Sequence, residues 1–244
     1  SWILGYPDQA RRQKARLLTI LRATLDNYAR ALTISHGLTI HYDLLRDEEV
    51  MNFQADDALA QANRSGHLYG RALGLISLGR IIVAEGKADA GIEQVVEGMS
   101  ALESAGDLRN YYVASYAASA AYLKARHIAD GLALVERAIS WMSVGGVRLF
   151  EADFHRIKGE FVLMAGRPEN EVEAAFREAI EIARRGQAKS FELRATMSLA
   201  RLLMKQGRRD EARAILADIY GWFTEGLNTA DLKDAKALLD ELGT

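Results

Sequence analysis

The sequence has no cysteine and only two prolines in 244 residues. Without thiols there is no disulfide framework, no thiolate metal site and no cysteine nucleophile. With so little proline, long helices can run uninterrupted, because proline removes a backbone donor and clashes with the preceding turn. An excess of charge of one sign is also missing: 31 Lys and Arg against 33 Asp and Glu leave a formal net charge of -2. Nucleic-acid binders ordinarily carry a basic face, so that class is disfavoured. Every apolar run is broken by a charge or an amide before the roughly 20 residues that a membrane-spanning helix needs. The start, Ser1-Trp2-Ile3-Leu4-Gly5, has no basic n-region and no long apolar core, so no secretory signal is expected. It also lacks an initiator Met, which fits an excised piece of a longer chain. A cytoplasmic setting is the default expectation. The remaining composition, 49% hydrophobic and 26% charged, is that of an ordinary globular chain.

What is there is a repeat. Gly66, Gly106, Gly146, Gly186 and Gly226 are spaced 40 apart. A second series, Gly5, Arg46, Gly86, Arg126, Gly166 and Gly207, runs at steps of 40 or 41. Each position marks an expected helix end, where glycine adopts the left-handed cap conformation at no steric cost. Between the breaks the apolar residues have helical spacing: Leu193, Met197, Leu199, Ala200 and Leu203 recur at three- and four-residue steps. Strand-like alternation is essentially absent. The pattern predicts about eleven or twelve helices in antiparallel pairs. One pair cannot bury its apolar stripe alone, and stacked pairs can. The expected fold class is therefore all-α, a right-handed α-solenoid of about five or six repeats with a C-terminal capping helix. No linker interrupts the chain, so 1–244 is read as a single domain. Its repeats fall at approximately 1–24 (partial), 25–66, 67–106, 107–146, 147–186 and 187–226, with a cap over 228–244.

The first helix of each pair carries a small residue at one place: Gly79, Ser119, Gly159 and Ala200. The second helix carries another twelve residues on, at Gly91, Gly131 and Ala212; in the third pair the insert around Pro168 shifts it to Ala175. Small residues on both helices let the axes approach, and larger residues such as Val95, Val135 and Leu216 fill the next layer. This pattern resembles the tetratricopeptide repeat. The period of 40 to 41 is longer than that repeat's ordinary length, and its closing proline is missing. HEAT-type repeats, with a similar period, remain the alternative.

Toward the C-terminus the resemblance sharpens. Phe154-His155-Arg156-Ile157-Lys158-Gly159-Glu160 looks like a family motif of the form L-H-R-L-K-G-E. Ala188-Lys189-Ser190-Phe191-Glu192-Leu193-Arg194-Ala195, Tyr220-Gly221-Trp222-Phe223-Thr224-Glu225-Gly226 and Thr229-Ala230-Asp231-Leu232-Lys233-Asp234-Ala235 are similar to further parts of it. Together they resemble the helical-repeat tails of large bacterial signalling proteins. In those, a class III nucleotide cyclase or a winged-helix domain precedes a signal-transduction ATPase. The resemblance implies a regulatory tail rather than a catalytic or DNA-binding part.

At the edges, Trp2 to Tyr6 reads as the end of a helix and Pro7-Asp8-Gln9-Ala10 as the start of its partner. Thr229 is placed to N-cap a last helix whose apolar face is Leu232, Ala235, Leu238, Leu239 and Leu242.

Chemistry is scarce. Gly79 to Gly86-Lys87 is the nearest approach to a phosphate-binding loop, but six residues separate the glycines and Ala88 replaces Ser or Thr. None of His36, His41, His67, His127 and His155 forms an H-E-x-x-H pair, so no metal and no cofactor is expected. His155 reads as a packing histidine with a polar edge. Glu48-Glu49 and Asp56-Asp57 are adjacent, and helix neighbours point about 100° apart, so neither forms an acid/base pair. The aromatic groups, Tyr111, Tyr112 and Tyr122 in one helix and Tyr220, Trp222 and Phe223 in another, read as core, with Tyr116 of the first group the exception. The expectation is a non-enzyme.

In a tetratricopeptide superhelix the first helix of each pair lines a concave groove. By that resemblance the groove residues are Arg80, Tyr116, Lys124, Asp153, Arg156, Glu160, Arg194, Met197, Arg201 and Lys205, with Met164 and Met204 among them. Six are basic and two acidic. Arginine forks and soft methionine surface suit an acidic peptide or carboxylate. Internal pairing is the alternative, since Asp153 and Glu160 stand three and four residues from Arg156. The functional expectation is a regulatory protein-interaction module that binds a peptide or a partner domain, other domains of its own parent included. The alternative is a sensor that closes on a small acidic metabolite. Neither nucleic acid nor membrane is expected as a partner, and homodimerisation through an exposed N-terminal repeat is compatible with either reading.

Overall fold

The computed structural model describes residues 1–23, 44, 46, 60, 66–143 and 148–243. Among them are ten α-helices and no strand. They are α1 (Pro7–Ala23), α2 (Leu68–Ala84), α3 (Ala88–Ser104), α4 (Leu108–Ala125), α5 (Ile128–Ser143), α6 (Glu151–Met164), α7 (Glu169–Arg185), α8 (Lys189–Lys205), α9 (Arg209–Gly221) and α10 (Ala230–Gly243). Most of the expected 25–66 repeat lies outside the described residues. So do Gly146, His36, His41 and the acidic pairs at 48–49 and 56–57. Contacts gather into two compact units. A C-terminal unit comprises Ser1–Ala10 and Arg148–Thr244, and a central unit comprises Arg11–Val147.

One device ends the helices. At six of the described helix ends an N–H bonds back three residues and the next N–H bonds back five, the double bond of a Schellman cap. At α2 these are Gly86 to Val83 (3.0 Å) and Lys87 to Ile82 (3.2 Å). The pattern recurs at Gly106, Arg126, Gly166, Gln187 and Gly207. The first residue of each cap takes a positive φ, and Arg126 and Gln187 do so without being glycine, at 60° and 52°. At the end of α7 the sequence expectation was Gly186. The left-handed residue is Gln187 instead, because its N–H reaches Arg184 and that of Ala188 reaches Ala183, while Gly186 keeps an ordinary φ of -84°.

Helix starts are specified residue by residue. Asp107 accepts from the Asn110 N–H at 3.2 Å to cap α4, and His67 Nδ1 accepts from the Gly70 N–H at 2.9 Å to cap α2. Helix α7 opens on Pro168 with Glu169 and Glu171 in its first turn and closes on Arg184 and Arg185, which complements its dipole. Thr229 precedes α10, but its hydroxyl donates to the Gly226 carbonyl at 2.7 Å rather than capping forward. The last helix buries Leu232, Ala235, Leu238 and Leu242.

Small residues hold the pairs close. A Cβ on Gly79 would stand 2.4 Å from the Gly91 carbonyl, and one on Gly91 2.5 Å from that of Gly79. The backbones of α2 and α3 therefore touch, which is the close approach that the twelve-residue spacing implied. In the third pair the Phe176 ring lies over Gly159, where a Cβ would meet it at 2.6 Å.

Candidate interaction face on the first helices

In the C-terminal unit the first helices of successive pairs, α6 and α8, pack side by side, and α8 also contacts the capping helix α10. Their shared face carries charge at a depth where charge is costly. Asp153 is 1% exposed and Arg194 9%. Arg156 Nε donates to Asp153 Oδ1 at 2.5 Å and its Nη2 to Oδ2 at 3.1 Å. Arg194 stands 3.7 Å from the same carboxylate, and its Nε donates to Asp231 Oδ2 on α10 at 3.0 Å. Glu160 lies 3.7 Å from Arg156 and accepts from the Ser198 hydroxyl of α8 at 2.6 Å. Three carboxylates and two guanidiniums thus form one chain across three helices. Of the ten expected groove residues, the structure brings together Asp153, Arg156, Glu160 and Arg194, and it spends their charges on one another.

The other expected residues divide by exposure. Met197 is buried in the core of this unit with Leu193 and Leu232. Arg201 and Lys205, one turn apart on α8, are exposed beside the half-buried Met204. Neither makes an ion pair with another described residue. In the central unit Arg80 is half-buried on α2, Tyr116 is 6% exposed on α4, and Lys124 is exposed at the end of α4. Tyr111, Tyr112, Tyr116 and Tyr122 are all buried. The Tyr112 ring lies 5.2 Å from Trp141, and the Arg137 guanidinium sits 4.7 Å over Tyr111. Burial pushes the Tyr111 and Tyr122 hydroxyls above the ordinary value of 10.0.

Several contributors escaped the sequence reading. Trp2 is 4% exposed, and the Arg194 guanidinium lies 4.4 Å from its ring centroid. Asp231, the partner of Arg194, sits in the family-like run from Thr229, but nothing in the spacing aligns α10 with α8. Glu192, 3% exposed, accepts from Arg184 Nε and Lys189 Nζ, both at 2.8 Å. Only its three-residue distance from Lys189 was legible.

The second helices carry a separate network. Glu173 of α7 accepts from Arg208 Nη1 at 2.7 Å and from Arg177 Nη2 at 2.7 Å, and Arg177 also reaches Glu211 at 2.9 Å. The Arg208 bond, with help from Arg177, holds the Glu173 carboxyl below its ordinary 4.5. His155 Nδ1 lies 3.2 Å from Glu178 across the α6–α7 pair, a packing histidine with a polar edge. Among the described residues no group of three or more His, Asp or Glu is placed to hold a metal ion. No described helix is long and apolar enough to cross a membrane.

A cleft of about 580 Å³ opens on this unit between Ile3, Leu149, Ala152, Ile182 and Phe191. Arg148 and Arg185 also line it, and Arg148 already donates to Glu151 at 2.7 Å. A small acidic ligand would have to compete with that carboxylate.

No protein-family model matches the chain, and no curated protein is significantly similar to it. Solved structures do resemble it. A variant of a Podosopora anserina protein, described as a kinesin light chain with nearly identical TPR-like repeats, has a TM-score of 0.52 at 15% identity over 88% of this chain and 94% of that one. A second crystal structure so described scores 0.49 at 14% identity over 97% of each chain. Identities this low speak of fold alone. Ten helices among the described residues, caps recurring at the forty-residue period and the first of these likenesses agree: the chain has an all-α, tetratricopeptide-like α-solenoid fold.

Proposed function

We propose that the chain is a non-catalytic interaction and regulatory module of a bacterial, cytoplasmic signalling protein of the ATPase, cyclase or transcriptional-regulator kind. It binds an acidic peptide, or an acidic surface of another domain, along the first-helix face. The observation that carries this reading is the pair Arg201 and Lys205. They stand exposed one turn apart on α8, free of ion pairs with described residues, beside the soft surface of Met204. Arg156 and Arg194 hold the platform on which that pair sits. Binding there would bias a switch in the parent through differential contacts with its two forms. Tetratricopeptide-like repeats commonly serve protein association, which supports the reading, and the engaged Arg148 at the cleft favours it over a small-metabolite sensor.

The test is fluorescence anisotropy with a labelled peptide rich in Asp and Glu, titrated with the chain at two salt concentrations. Binding should weaken with salt, as exposed charge pairs are screened within about 10 Å at 0.1 M. Reversal of both cations, Arg201→Glu with Lys205→Glu, should cost roughly tenfold or more in affinity and leave the melting curve in place. An affinity unmoved by the double reversal sinks the proposal.

A further inference from the structure

Residues at the start of the chain are held by residues as many as 218 positions later. Trp2 to Gly5 form a turn with the double bond that closes the helices, Gly5 N–H to Trp2 at 2.8 Å and Tyr6 N–H to Ser1 at 3.1 Å. Three features of the C-terminal repeats read this segment. The first is an aromatic seat. Trp2 packs edge-on against Phe191 at 5.4 Å, beneath the Arg194 guanidinium. The second is the start of α8. The buried Ser190 donates its hydroxyl to the Trp2 carbonyl at 2.6 Å and its N–H to the Ile3 carbonyl at 3.2 Å. The third is the connection from α9 to α10. Glu225 Oε1 accepts from the N–H groups of Asp8 and Gln9 at 3.1 and 3.3 Å, capping α1 from outside, and Asp8 Oδ2 accepts in return from the Gly226 N–H at 3.0 Å.

Two glycines make the fit selective. A Cβ on Gly5 would stand 2.3 Å from the Trp222 ring, and one on Gly226 2.0 Å from Pro7. The surface therefore reads tryptophan, a glycine turn three residues beyond it, and a proline followed by an acidic residue at a helix start. Each element meets a different chemistry: an edge-on ring and a cation, a ring that leaves no room for a Cβ, and a reciprocal pair of caps.

We propose that the α8 start and the α9–α10 connection form a docking site for a segment of the pattern Trp-x-x-Gly-x-Pro-Asp. Ser1–Ala10 is its resident occupant, and a partner peptide of the same chemistry enters by displacing it. The resident lowers the apparent affinity of any such partner by the fraction of time the site is closed, so weakening the resident opens the site. This site is separate from Arg201 and Lys205, and its success or failure is read independently of theirs.

The experiment titrates a labelled synthetic peptide of residues 1–16 against the full chain, wild type and Trp2→Ala. The vacated Trp2→Ala chain should bind at least about tenfold tighter than wild type, since the resident's buried anchor is gone. Ser190→Ala or Glu225→Gln, added to Trp2→Ala, should weaken binding again, and Arg201→Glu should leave it unchanged. Should Trp2→Ala fail to fold, Asp8→Ala loosens only the far end of the resident and must give the same ordering. Equal binding by the wild type and a folded resident variant, or no saturable binding by either, overturns the proposal.

Discussion

Helices α4 and α8 are both first helices of their pairs, and both bury polar side chains, but they satisfy them differently. In α4 the buried hydroxyls of Ser115 and Ser119 turn back on their own helix, donating to the Tyr111 and Tyr116 carbonyls at 2.7 Å. In α8 the buried Glu192, Arg194 and Ser198 reach other helices, although Glu192 also takes Lys189 of its own and the Thr196 hydroxyl takes no partner among the described residues. Glu192 takes Arg184 of α7, Arg194 takes Asp153 of α6 and Asp231 of α10, and Ser198 takes Glu160 of α6. The first solution is indifferent to what the neighbouring helices do. The second works only when three neighbours stand at fixed places, because a buried charge without its partner is costly. A repeat register can thus conserve an architecture while the polar accounts of successive pairs are settled locally in one and collectively in another.

Breaking one partner in each helix should expose that difference most strongly. Arg194→Ala strips the second cation from Asp153 and the first from Asp231 and removes the group stacked on Trp2. Loss of one partner of a buried pair costs about 3–5 kcal/mol. Ser119→Ala removes a hydroxyl with its bond and leaves a carbonyl that keeps its helical partner, so its cost should be about 1 kcal/mol. Urea unfolding followed by tryptophan emission separates the units, since Trp2 and Trp222 lie in the C-terminal unit and Trp141 in the central one. Equal losses for the two variants would mean that the α8 network is no more demanding than the α4 serines.

Backbone contact gives the next contrast. The Cβ of Gly79→Ala would press on the Gly91 carbonyl at 2.4 Å, and a backbone atom cannot step aside as a side chain can. Overpacking of this kind costs about 1–3 kcal/mol, all of it in the central unit. In the C-terminal unit, Gly186→Ala places its Cβ 3.5 Å from the Ile182 carbonyl at an ordinary φ of -84°. That variant should be neutral or stabilising by up to about 1 kcal/mol, through the unfolded chain's lost freedom. A differential-scanning melt checks both signs, and a destabilised Gly186→Ala would contradict the geometry.

The features that were legible in the sequence are those that a residue settles with its near neighbours. Gly79 and Gly91 announce a close pair because one hairpin carries both. Phe154, Leu193 and Leu232 fall on apolar faces because helical spacing puts them there. The pairing of Arg156 with Asp153 was readable as an alternative for the same reason, three residues being one turn. Arg194 with Asp231 was not, because 37 residues and a change of helix separate them. Trp2 lay furthest from sight, since no period links it to Phe191 and Ser190. Reading the groove by analogy marked Arg194 as a ligand contact, whereas its geometry spends it on two carboxylates and a ring.

Non-glycine caps provide the finest test of the comparison, because Arg126 ends a helix of the central unit and Gln187 one of the C-terminal unit. Arg126 and Gln187 hold φ at 60° and 52° where Gly86, Gly106, Gly166 and Gly207 occupy the same place in their caps. An L-residue in the left-handed region costs roughly 1–2 kcal/mol. Replacement by glycine recovers that strain but frees the unfolded chain, which takes back about 0.4–1 kcal/mol. Arg126→Gly and Gln187→Gly should therefore each stabilise their own unit by about 0.5–1 kcal/mol. The corresponding rise in melting temperature is about 1–4 °C. The two gains should be alike, because the cap bonds at Leu123 and Tyr122 match those at Arg184 and Ala183 in kind and nearly in length. A gain at Arg126 with none at Gln187 would show that the α7 end can move its left-handed turn back to Gly186, the glycine that the forty-residue period marks.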